Sequence, residues 1–400
     1  MSLSRPSDQY SPLYFLASLG AGGLMVSFFM WLMHWLPHPG RSVPVFEDIA
    51  AAFSGGNTAM RVMIVVAVAV IAYLGYVNLR LLVWNLIRLR EWRGSDAHAR
   101  FVAGNAQSQM MALPLALAMA VNGGFVLGLV FVPGLWGVVE YLFPAAIAAF
   151  LAIGVLGLRI YGGFLGRVLT EGGFDCAANN NFGQILPAFA FAMVGVGLAA
   201  PAAMSTVAAT AGLALVLSTF FLVTSAVIAA VALVLGIRSL MEHGANPETA
   251  PTLMILMPVF TILGILVLRQ NHGLGSHLGE HVTAAADFMM LTQLVSAQVL
   301  FGLFGLMVLR RQGYAARFLF GPENSAGSYA LVCPGVGFSV LVQFWINRGL
   351  VGMGLIEKFS AGYWTLTAVS LVAQAAMVWL VLHLNRRHFG GARPVAVPAE

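Results

Sequence analysis

Ten apolar runs follow one another along this chain, near 11–36, 57–87, 107–132, 135–163, 183–204, 206–237, 249–269, 282–309, 327–347 and 360–384. Each has the roughly 20 residues needed to cross ~30 Å of hydrocarbon at about 1.5 Å per residue. Lipid offers the backbone no hydrogen-bond partners, so a run of that length must be helical. A barrel would require short alternating segments, and these runs do not alternate. Composition excludes a soluble alternative: the chain is 60% hydrophobic and 9% charged, against about 25% charged in soluble proteins. The predicted fold is an all-α integral membrane protein with a single ten-helix domain over 11–386. An amino-terminal segment, 1–10, and a tail, 387–400, flank it. The amino terminus has neither a basic region nor a small-residue cleavage site, so the first run reads as a retained span.

The arginines set the orientation. With both termini in the cytoplasm, the inside loops hold Arg88, Arg90, Arg93 and Arg100, then Arg159 and Arg167, Arg238, Arg310, Arg311 and Arg317, and finally Arg386, Arg387 and Arg393. The outside loops hold only Arg41, Arg269, Arg348 and Lys358, with Arg61 at a helix edge. That asymmetry is the positive-inside pattern. A net charge of +5 therefore points to the lipid bilayer as partner and not to nucleic acid. The two cysteines, Cys176 and Cys333, form no CxxC motif, which supports neither a disulfide framework nor a cysteine zinc site.

A second regularity concerns proline. The third, fifth, seventh and ninth runs carry Pro114, Pro187, Pro258 and Pro334, each several residues inside the run and at similar depth. The first run has Gly20, Gly22 and Gly23 at that depth, and among the even runs only the fourth has an interior proline, Pro144. The chain reads as five hairpins with a special odd helix in each. A proline inside a helix frees the carbonyl four residues earlier, here Met110, Gly183, Met254 and Ala330. Freed carbonyls at one level predict kinked odd helices around something polar. The other reading is proline in the first turn of a helix, where it is tolerated.

Ten helices with short loops, PTLMILMPVF (251–260) and SAGSYALVCPGVGF (325–338) resemble the slow-anion-channel and tellurite-resistance/dicarboxylate-transporter superfamily. Within it, the chain looks somewhat like the TsoY-type branch of membrane (seleno)proteins. The resemblance implies five inner odd helices around a central pore and five outer even helices. It also implies a homotrimer with one pore per protomer, multi-pass in a bacterial inner membrane, and anion conduction without a dedicated strong binding site. In that family a pore-blocking phenylalanine directly precedes the proline of the ninth helix. Cys333 occupies the matching position here, and Phe338, one turn beyond Pro334, is the nearest substitute.

Polar residues on the odd helices are the pore candidates: Asn122 on the third, Asn181 and Gln184 at the fifth, Ser339 and Gln343 on the ninth. Their amides and hydroxyls donate to an anion without fixing a proton state. The competing role is interhelical hydrogen bonding, worth about 0.6 kcal/mol. Asp287 and Arg80, the best intramembrane charges, read as structural pairing or snorkelling residues. The stretch FDCAANNNFGQILPAF (174–189) concentrates polarity before the fifth helix. There it can cap the helix start, with Asn181, Gln184 and Cys176 as candidates for a cytoplasmic vestibule. NHGLGSHLGEH (271–281) reads as an outside loop holding His272, His277 and His281. The last two are four apart and are weak metal candidates if the loop is helical. Paired mid-membrane histidines for haem are missing from the sequence, and no cofactor is implied. There is no Walker loop, HExxH or GxSxG, so an enzyme is not expected. The expected function is a channel-like passage for small anions. The alternatives are a carrier for a sulfur- or selenium-containing solute using Cys176 or Cys333 and, more weakly, a membrane thiol or redox enzyme.

Overall fold

The computed structural model describes residues 10–280 and 282–390. The segment 1–10 and the tail 387–400 fall almost wholly outside them, and the last helix runs on to Phe389. Ten helices among the described residues are long and apolar enough to cross a membrane: Pro12–Trp35, Thr58–Trp92, Asn105–Phe131, Leu135–Glu171, Gly183–Met204, Ala208–His243, Ala250–Leu278, Ala284–Arg311, Ala326–Val351 and Ala361–Phe389. Short helices over Phe46–Gly55 and Asp96–Ala103 lie between spans.

Odd and even spans start differently. Every odd span opens with a 3₁₀ turn: Pro12–Tyr14, Asn105–Met111, Gly183–Ile185, Ala250–Met254 and Ala326–Leu331. The α-helical parts then begin at Ala112, Leu186, Leu256 and Val332 in the spans that carry the repeated prolines. Pro114, Pro187, Pro258 and Pro334 are therefore second or third residues of an α-helix. Proline is tolerated in the first turn of an α-helix, so these prolines mark the 3₁₀-to-α junction. Of the carbonyls expected to be freed, Met110 accepts from Ala112 N and Gly183 from Leu186 N. Three even spans begin instead on side-chain caps: Asn57 accepts from Met60 N, Thr283 from Ala286 N and Ser360 from Tyr363 N.

Helix and apolar run do not end together. The second, fourth, sixth and tenth spans continue past their apolar runs to Trp92, Glu171, His243 and Phe389. Hydropathy marks where lipid stops; the helix goes on into water, supported by pairs such as Arg88–Glu91 at 2.6 Å and Arg238–Glu242 at 2.9 Å. The seventh span makes the largest correction. NHGLGSHL, read above as loop, is its last two turns, and the helix ends at Leu278 before Gly279 at φ 72°.

Packing separates the two sets. The most apolar stretch of each odd span is 56–94% buried, against 22–39% for the even spans. The odd spans touch in closed order, first to third, third to fifth, fifth to seventh, seventh to ninth and ninth to first, while each even span lies against odd neighbours. Polar side chains on the even spans bond to the odd ones: Asn78 Nδ2 donates to Ser18 O at 2.8 Å, Ser225 Oγ to Ala188 O at 2.8 Å, Gln298 Nε2 to Met257 O at 2.7 Å and Ser370 Oγ to Ser339 O at 2.9 Å. Interhelical bonds of this kind are the main polar adhesive where no hydrophobic contrast exists. Gly337 lets the ninth span lie close against Pro258 of the seventh, with Thr261 Oγ1 donating to its carbonyl at 2.8 Å.

Candidate functional site

All five odd spans line a cavity of about 510 Å³, and the fourth span closes one side of it with Trp136, Val139, Phe143 and Phe150. Its floor lies among the first turns of the α-helices, at Gly20, Phe189, Pro258 and Cys333. Its mouth lies at their far ends, at Ser42, Met204, His272, Asp287 and Arg348. Along the ninth span, Cys333 to Arg348 covers about 20 Å at ~1.5 Å per residue. The walls are mostly aromatic, aliphatic and thioether side chains, among them Phe29, Phe125, Phe143, Phe150, Met119 and Met193.

Below the floor the odd spans close on themselves. Phe15, Met111, Leu253 and Tyr329, all in or beside the 3₁₀ turns, are completely buried. Beyond them is a polar recess of about 360 Å³ lined by Ser11, Tyr14, Glu248, Thr249 and Ser325, which shares no residue with the large cavity.

Charge gathers at the wide end. Arg269 projects from the seventh span, and its Nη1 donates to Val196 O at 2.7 Å. Arg348 lies on a π-helical turn, Trp345–Val351, a distortion that often marks functional positions. Its neighbours are tied down: Trp345 Nε1 donates to Thr292 Oγ1 at 3.0 Å, Asn347 Nδ2 to Gln343 O at 2.8 Å and Tyr363 OH to Asn347 Oδ1 at 3.0 Å. Among the described residues, neither arginine has a carboxylate within 4.0 Å. Asp287 also lines the mouth, with Oδ1 buried and lacking a hydrogen-bond partner.

Of the sequence candidates, Cys333, Pro258, Asn122 and His272 line the cavity. Asn122 Nδ2 donates to Ala118 O at 3.0 Å and approaches Met193 Sδ at 3.6 Å. The others lie elsewhere. Phe338 packs between helices against the clusters around Tyr314 and Val342. Ser339 pairs with Ser370 of the tenth span at 2.9 Å, and Gln343 is buried and supports Asn347. Pro114, Pro187 and Pro334 hold their helix starts. The polarity of 174–184 is spent within the loop and on Asn105 at the start of the third span. Asp175 Oδ1 accepts from Ala177 N and Ala178 N, Asn181 Oδ1 from Gly183 N, and Gln184 Nε2 donates to Asn105 O. Cys176 is exposed, with its carbonyl bound by Ser239 Oγ at 2.7 Å.

The histidines do not assemble. His272 stands 3.5 Å from Ser42 Oγ, His277 Nε2 lies 2.9 Å from Ser205 O, and His281 is outside the described residues. The helix that carries His277 ends one residue later, at Leu278. Among the described residues, no three His, Cys, Asp or Glu side chains stand close enough to hold a metal ion.

Sequence reasoning missed the arginines as lining residues, having assigned Arg269 and Arg348 to outside loops. The sequence pointed the other way, since Gly273 and Gly275 follow Arg269 as helix breakers, yet the helix runs through both to Leu278. The two thiols can be told apart chemically. A bulky maleimide is expected to modify Cys176 alone in the folded protein, whereas a small methanethiosulfonate also reaches Cys333 by way of the cavity. Intact-mass measurement reads both, and a Cys333 that resists the small reagent means that solvent stops short of the floor.

No protein-family model matches the chain, and no curated protein matches it either.

Proposed function

We propose that the protein is a membrane passage for small anions, with a pore along the axis of the odd-span ring. One observation carries this reading: a cavity lined by all five odd spans holds Arg269 and Arg348 at its mouth, two cations beside the one carboxylate of Asp287 and neither within 4.0 Å of it. Conduction needs little more, since fixed dipoles and a positive field can replace part of an anion's hydration. The alternation of burial supports five hairpins with inner odd and outer even helices. The architecture accords with the slow-anion-channel resemblance and, through it, with a homotrimer having one pore per protomer. The arginine bias supports placement in a bacterial inner membrane with both termini cytoplasmic. The floor at Phe189, Pro258 and Cys333 is the constriction of this reading, and the arginines gather anions above it.

A carrier of soft sulfur or selenium solutes is the second reading, favoured by Cys333 lying in the same cavity as Met119 and Met193. A thiol enzyme has less support, because Asp175 beside Cys176 is engaged in capping its own loop.

Planar-bilayer recording across a potassium chloride gradient tests the proposal. The expected reversal potential lies near that of chloride. A cation-selective current, or saturable uptake of a sulfur-containing solute without any current, would overturn it.

A further inference from the structure

We propose that the wide half of the cavity is a binding site for an organic monocarboxylate with a compact apolar body, held carboxylate-first on Arg269. This rests on the reading of the cavity as an anion path and names the anion class that its walls fit.

Size and lining favour such a ligand over a bare inorganic ion. A cavity of about 510 Å³ falls in the range that encloses small organic molecules, about 300–1,000 Å³. Phe29, Phe125, Phe143 and Met193 line it, and such walls hold an inorganic anion only weakly, which suits its passage and not its retention. The same surfaces take up an aryl or branched alkyl body with a gain from burial.

The headgroup site is equally specific. Arg269 spends one N–H on Val196 O, and a guanidinium carries five donors in a planar fork. Arg269 lines the cavity, and the donors it has not spent are enough to meet a carboxylate in two-point fashion. Arg348 adds a second positive charge further out on its π-helical turn. Asp287 also lines the mouth. A monoanion needs one positive partner, and Arg269 supplies it; the other cation, Arg348, is already offset electrostatically by Asp287, so the second negative end of a dianion finds no free positive partner. Of the other polar groups at that end, Asn271 is hydrogen-bonded to Asp287 and His272 stands beside Ser42.

The test uses the purified full-length protein in nanodiscs, with radiolabelled phenylacetate as probe. Saturable binding is expected, resisting competition by 2-phenylethanol, which lacks the charge, by chloride, which lacks the body, and by succinate, which is a dianion. Arg269→Gln should weaken binding by about tenfold or more, the scale of a lost charge-assisted hydrogen-bond pair, and Arg269→Lys should restore part of it. Asp287→Asn should let succinate compete. If Arg269→Gln does not purify as a folded species, Arg269→Lys and Asp287→Asn decide. The site is overturned by absence of saturable binding, by chloride competing as well as unlabelled phenylacetate, or by Arg269 variants that bind like the parent. Failure of the underlying reading looks different. Anion current without phenylacetate binding removes this site and keeps the path, whereas phenylacetate binding without current of any anion removes the path and keeps the site.

Discussion

Phe189→Ala raises the anion current of the reconstituted protein by about tenfold, equivalent to ~1.4 kcal/mol off the barrier, while Phe338→Ala leaves it near the parent value. The two phenylalanines differ in what they touch. Phe189 sits in the first turns of the fifth span and faces the cavity floor beside Pro258 and Cys333. Phe338 packs away from that space, against clusters that include Tyr314, Phe318 and Ile346. Removing the Phe189 ring widens an apolar constriction, the kind of barrier that gates by excluding water. Cys333→Phe is the complementary change: it adds a ring at the same level and should lower the current. Single-channel recording at fixed chloride reads all three. A rise with Phe338→Ala and none with Phe189→Ala would move the constriction to the ninth span and discard the floor described above.

Gly337→Ala destabilises the protein by about 1–3 kcal/mol, the usual cost of forcing a methyl group into a packed interior. A β-carbon at Gly337 would stand 2.9 Å from Pro258 Cα and 3.0 Å from Thr261 Oγ1. The first is backbone and cannot swing away. The second is held by Gln298 Nε2 at 2.6 Å and itself donates to Gly337 O at 2.8 Å. Relief therefore requires the seventh and ninth spans to part, breaking that chain of bonds and opening the ring at the cavity wall. Gly212→Ala is the control. A β-carbon there meets open space, and alanine is the better helix former by about 1 kcal/mol, so stability should hold or rise slightly. Thermal unfolding in detergent compares the two. Equal midpoints for both variants would mean that the contact at Gly337 is not a constraint.

The sequence was most legible where lipid dictates it. Ten apolar runs became ten helices, because hydrocarbon allows a long backbone segment no other state. Helix ends were less legible. Hydropathy reports where a side chain partitions, whereas a helix stops where its backbone bonds stop, so NHGLGSHL was taken for loop although it extends the seventh span to Leu278. Arg269 was misplaced for the same reason, as a charge at the edge of an apolar run. The prolines were found at their common depth, yet the choice between interior kink and first turn needed the 3₁₀ segments that precede them. Choosing the cavity face failed for a different reason. The fifth span is apolar on nearly every side, and the polar Ser339 of the ninth faces the tenth span and not the cavity, so polarity does not separate Phe189, which lines the cavity, from Phe338, which does not. Asn181 and Gln184 were flagged by their polarity, but loop capping consumes that polarity just as readily as a vestibule would.

Composition and run length by themselves determined an all-helical membrane protein of ten spans, since the solvent is written into every residue of such a run. The tertiary structure alone decided that the odd spans meet in a closed order, that Cys333 and Phe189 share one floor, and that Arg269 and Arg348 face the same space. Those facts depend on the rotation of each helix about its own axis. In a span that is apolar all round, that rotation is set by glycine contacts and interhelical hydrogen bonds with residues far away in the chain.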